Sequence, residues 1–243
     1  MTEKELYNKN QGNAFIFDKV FKKEFSSLMS KVYLWMTFAL VITGVAAYSV
    51  ANSVVIVNLL GEYPSLLLVF AIAEFALAIT LSKRINKLSL VQATMLFILY
   101  SLVTGVTLSV VLLPYTEESI AKAFMVTASA FGIMAIYGYT TKKDLSSAGM
   151  LLFFGLIGLV FATVVNLFLK SSVFGLLVSY VGVVTFMGLT AWDTQRIKTM
   201  LLEVSQYGDG EQSQKIALLG ALSLYLDFIN LFLYFIKIMG KKK

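Results

Sequence analysis

The chain has 243 residues, 58% of them hydrophobic and 14% charged, with a net charge of +6 and neither cysteine nor histidine. Such a composition lies far from that of a soluble domain, and it excludes Cys/His zinc centres, axial haem histidines, histidine- or cysteine-activated nucleophiles and a histidine pH switch. No nucleic-acid role is expected either, because the basic residues are scattered through short segments between apolar runs, where membrane topology accounts for them.

The N-terminal segment, residues 1–31, comes first. Phe17, Val20, Phe21, Phe25, Leu28, Met29 and Val32 recur at helical spacing, with Lys19, Lys22, Lys23, Ser26 and Lys31 on the other side. This pattern predicts a cytoplasmic amphipathic helix on an anionic bilayer surface. The lead-in is too long, and the following apolar run too extended, for a cleaved signal peptide.

From residue 32 to 243 the chain reads as one membrane domain. Apolar runs of about twenty residues, enough to cross a bilayer, occur near 32–52, 66–82, 88–113, 119–141, 145–169, 172–194 and 216–237. Open strand edges cannot sit in lipid, so the runs are predicted helices and the fold class an all-α, seven-helix membrane bundle. Lysines and arginines fall almost wholly in alternate connecting segments, fourteen against two, which puts the N-terminus in the cytoplasm. Lys237, Lys241, Lys242 and Lys243 break that pattern. Early helices dominate orientation, so the seventh run is expected to cross despite its lysines rather than to turn back.

Small residues stripe two of the runs. Gly155, Gly158, Ala162 and Asn166 share one face of the fifth, which reads as close helix packing. Gly220, Ser223, Asp227, Asn230 and Tyr234 share one face of the seventh, and this stripe carries a carboxyl and an amide. It is a candidate wall of a polar interior.

Only three acidic residues fall inside apolar runs: Glu74, Asp193 and Asp227. An aspartate at a helix centre costs about 2.5–3.5 kcal/mol on insertion scales, whereas an interhelical hydrogen bond returns roughly 0.6 kcal/mol. Packing glue does not offset that cost, so these groups are candidates for a proton or cation site. Should Asp193 and Asp227 meet, like-charge repulsion makes them titrate as a pair. A shared proton would tie their helices together, and two anions would repel or attract a hard cation such as calcium. Calcium wants six to eight oxygens, so Asn230, carbonyls or water would have to help. Spacing alone does not pair them: Asp227 lies deep in its run, Asp193 at the cytoplasmic end of its own, and the naive offset exceeds about 10 Å. A water-filled vestibule or a deeper-set sixth helix would reconcile the two.

Three stretches, "GYTTKKDLSSAG", "GLTAWDTQRIK" and "LGALSLYLDFINLF", resemble the bacterial branch of the Bax inhibitor family, also called the transmembrane Bax inhibitor motif family. The resemblance runs from about residue 30 to the C-terminus. It implies a seven-helix bundle with the last helix surrounded by the other six, and a pH-sensitive calcium leak through an inner membrane. It further implies that Asp193 and Asp227 form a hydrogen-bonded sensing pair. A basic latch on Asp193 is implied near the cytoplasmic end of the second span; Arg84 is the first candidate, Lys83 its neighbour, and Arg196 stands one turn from Asp193. A connection of roughly 199–215, longer than in shorter relatives, is the one departure.

Neither an enzyme nor a resident cofactor is expected. Intramembrane aspartyl proteases also place aspartates on two helices, but they carry GxGD at the second, where this chain has Leu224, Tyr225 and Leu226 before Asp227, and their Pro-Ala-Leu element is missing. The remaining alternative is a non-conducting regulator of other membrane proteins. The partners implied are the bilayer, calcium ions and protons, and, through the family, a membrane-anchored AAA protease.

Overall fold

The computed structural model describes residues 3–205 and 210–243. In chain order the helices are α1 (Glu3–Ala51), α2 (Val54–Glu62), α3 (Ser65–Arg84), α4 (Leu90–Leu112), α5 (Glu117–Thr140), α6 (Ser146–Leu169), α7 (Ser172–Ser205) and α8 (Gly210–Met239), with a 3-10 turn at Ile85–Lys87. Among the described residues seven segments are long and apolar enough to cross a membrane, and they answer one for one to the seven runs read from the sequence. The short α2 was not foreseen. Hydroxyls start several helices: Ser53, Ser89 and Thr116 accept hydrogen bonds from backbone N–H groups of the first turn, and Ser89 completes a capping box with Gln92.

The last helix is central. Of its apolar window 61% is buried, against 11% for α6 and 6% for α3. It packs mainly on α7, α1, α5 and α4, while α3 and α6 form an outer layer against α4 and α7. Lipid solvates apolar side chains as well as protein does, so the outer helices have no need to hide Phe75, Phe161 or Phe168. Polar contacts hold the core of α8 instead. Thr43 of α1 donates to the Ser101 carbonyl at 2.9 Å and lies 2.6 Å from the Tyr225 hydroxyl, which therefore donates to it. Phe97 and Tyr100 of α4 meet the Tyr225 ring edge-on.

At its start α8 lies beside the 3-10 turn, where Gln212 donates to Asn86 at 2.9 Å. At its end the chain docks on the α4–α5 connection. Thr116 N–H donates to the Lys241 carbonyl at 3.0 Å, and Lys243 N–H to that of Pro114 at 2.8 Å. The helix thus runs unbroken from one face of the bundle to the other, about 45 Å for its 30 residues. It is long and apolar enough to cross, and it does not turn back despite its terminal lysines.

Two expectations about boundaries look different in the structure. No break separates the N-terminal segment from the first span: α1 is a single helix, and Phe25, Leu28, Met29 and Val32 of the apolar stripe are buried in the bundle. The side chains of Phe17, Val20, Phe21, Lys19 and Lys22 lie outside the described residues. Most of the 199–215 connection is helix, because α7 continues to Ser205 and α8 begins at Gly210. Exposed Thr199, Glu203 and Glu211 gave those stretches a loop-like polarity, yet Ile197, Leu201, Ser213 and Ala217 on the other face are buried. These are amphipathic helix ends.

Candidate functional site

The relation between Asp193 and Asp227 follows from how α7 and α8 pack. Their contacts fix an antiparallel register: Gly182 abuts Tyr234, Ile197 abuts Gly220, and the Phe186 and Tyr234 rings lie 5.8 Å apart. From the Phe186–Tyr234 contact, seven residues forward along α7 reach Asp193. Seven residues back along α8 reach Asp227. Seven residues are two turns with only about 20° of drift, so both carboxyls return to the same level and the facing sides. Asp193 is accordingly the charged group within electrostatic reach of Asp227. The offset expected from the apolar runs vanishes because α7 extends eleven residues beyond position 194, so Asp193 is well inside its helix.

Their environments differ. Asp227 is 4% exposed, and among the described residues its Oδ2 has no hydrogen-bond partner. Asp193 is only partly buried by surface area, and the cation within reach of it is Arg196, whose guanidinium lies 5.4 Å from the Trp192 ring centre. No direct hydrogen bond joins the two aspartates among the described residues. Arg84 and Lys83 are exposed at the end of α3 and form no ion pair with Asp193 in this conformation. Asn230 turns its amide back onto the Leu226 carbonyl of its own helix at 2.8 Å. Glu74 stands apart on α3, where the Thr107 hydroxyl of α4 donates to it.

Sequence reasoning missed what sets Asp193 in place. Gln195 reaches the α5–α6 connection: its Oε1 accepts from Leu145 N–H and its Nε2 donates to the Lys143 carbonyl, both at 2.8 Å. Lys198 donates to the Tyr139 carbonyl at 2.8 Å, at the end of α5 where a cation is favoured. Gly138 lies directly against the Ala191 backbone and Gly149 against the Trp192 indole, and a Cβ at either position would collide. The stretch 138–149 is therefore packed against the stretch 188–198 of α7 and grips it on both sides of Asp193. The only prior signal was their common presence in the chain, since spacing does not show a contact made across fifty residues.

Chemically, the site offers two facing carboxyls, one of them with an unpartnered oxygen, and one neighbouring guanidinium. Among the described residues no three acidic, histidine or cysteine side chains converge on a metal-sized space.

A polytopic helical membrane protein with a buried carboxyl on its central helix, faced by a second on the helix before it, is what this geometry defines. The family described as "Inhibitor of apoptosis-promoting Bax1" matches residues 25–243, and the chain belongs to this Bax inhibitor family. The inner membrane protein YbhL of Escherichia coli is 48% identical over 215 residues, covering 88% of this chain and 92% of that one. An uncharacterised protein of Rickettsia prowazekii is 41% identical over 226 residues (93% and 94% covered), and one of Borreliella burgdorferi 39% over 218 (90% and 93%).

Proposed function

We propose that the protein is a proton-gated cation leak of a bacterial inner membrane, with calcium the principal ion. The observation that carries this reading is the facing of Asp193 and Asp227 at one level of the α7–α8 pair, with Asp227 Oδ2 unpartnered. An isolated buried carboxylate is expensive. Sharing a proton with its neighbour relieves that cost and holds α7 to α8; losing the proton leaves two facing anions, whose repulsion loosens the pair and draws in a cation. Arg196 would steady Asp193 when both are ionised, and Arg84, free in this conformation, is the arm available to latch it in another.

Calcium flux into liposomes across a pH series tests the proposal. Wild-type flux should rise with pH as the pair deprotonates, and Asp193→Asn or Asp227→Asn should remove most of that response. An unchanged profile in both variants would reject the gate. No calcium flux at any pH would reject the leak and favour a non-conducting regulator.

A further inference from the structure

A lateral groove opens between α1 and α5, which flank α8 without packing extensively on one another. Its volume is about 480 Å³, and Ser26, Met29 and Ser30 of α1 face Phe131, Gly132 and Ile136 of α5 across it. A Cβ added to Gly132 meets nothing within 4 Å, so the space there is empty of protein. Tyr33, on the same wall, reaches toward Thr194, the residue after Asp193.

The groove is graded in polarity. Along α1, Lys23, Ser26, Ser30 and Tyr33 step by three, four and three residues, so one helix face leads from an exposed ammonium through hydroxyls toward the apolar interior. On the α5 wall Tyr139 marks the same end, and Lys198 sits there with its Nζ 5.0 Å from the ring centre. Exposed Lys142 follows just past the end of α5. The acid nearby, Asp144, accepts a hydrogen bond from Ser146 N–H at 2.9 Å. Among the described residues the exposed charges at the mouth are therefore mainly basic, and the deep end is apolar.

We infer that this groove is a binding site for one anionic phospholipid, its acyl chain between α1 and α5 and its phosphate at Lys198 and Lys23. A partner's transmembrane helix, 10–12 Å across with a 5.4 Å pitch, would use up a space of this volume within about one turn, whereas a single acyl chain can lie along it. Pocket volumes in this range suit a single small ligand, and the bilayer supplies that ligand at the position where the groove opens. Lysines at the headgroup level favour an anionic over a zwitterionic lipid, about fivefold for each that reaches the phosphate.

The test is native mass spectrometry of the full chain released from nanodiscs of equal phosphatidylcholine and phosphatidylglycerol, a readout independent of ion flux. Wild type should retain one phospholipid, with phosphatidylglycerol preferred. Gly132→Phe and Ser30→Phe fill the groove from opposite walls, and each should abolish retention at unchanged thermal stability. Lys198→Gln or Lys23→Gln should keep a lipid but cut the preference about fivefold, whereas Lys87→Gln, at another connection, should not. Equal retention of both lipids by wild type, or undiminished retention by both groove-filling variants, would overturn the assignment.

Discussion

Two acidic sites sit inside this bundle, and they are built in opposite ways. Glu74 lies between the outer helix α3 and α4, partly exposed, with the Thr107 hydroxyl on its carboxylate. Asp227 lies on the central helix, enclosed, with one oxygen unpartnered and a second carboxyl facing it. The first is a polar group that has been accommodated. The second leaves a buried oxygen without a partner beside another carboxyl, and on the proposed reading a proton or a cation supplies what is missing there.

The largest expected effect follows directly. Asp227→Asn should flatten the pH profile of calcium flux, while Glu74→Gln should leave its shape intact and change at most its amplitude. A profile flattened equally by Glu74→Gln would erase the distinction between the sites. Stability in detergent, at a pH where the pair is ionised, sharpens the contrast: Asp227→Leu removes a buried unsatisfied oxygen and should gain about 1–3 kcal/mol, whereas Glu74→Leu gives up one interhelical contact and should shift stability by roughly 0.6 kcal/mol. Thermal unfolding of the two variants side by side measures this.

The setting of Asp193 yields a smaller effect. Gln195→Ala removes two hydrogen bonds to the α5–α6 connection and should cost about 1–2 kcal/mol. It should also broaden the pH response, because Asp193 is then less firmly placed. The smallest concerns Asp144, outside the spans, whose carboxyl is held below the ordinary aspartate range by its hydrogen bond from Ser146. A depressed carboxyl stabilises the fold above its unfolded value and loses that contribution as pH falls through its folded one. Wild type should therefore lose thermal stability more steeply than Asp144→Asn below about pH 4. Parallel curves would deny the bond any role.

Much of this architecture is legible in the residues. The bilayer requires long apolar helices, so the seven spans could be read from hydropathy, and the insertion cost of a carboxyl singled out Glu74, Asp193 and Asp227. Register was not legible. It depends on Phe186 meeting Tyr234, and on polar residues such as Thr199 and Glu203 riding on helix ends that look like loop. The role of Gln195 was hidden for the same reason: its partners, Lys143 and Leu145, are close only after α6 has gone out and α7 has come back. Phe25 and Leu28, read as part of a stripe facing a bilayer surface, are buried in the bundle, since an amphipathic stripe suits a bilayer surface and a protein core equally well.

The most direct measurement follows the protonated-carboxyl band by infrared difference spectroscopy across pH in wild type, Asp193→Asn and Asp227→Asn. A shared proton predicts one coupled carboxyl signal in wild type, lost as pH rises, and displaced in both single variants. Two independent signals, each removed by its own substitution without disturbing the other, would contradict the account.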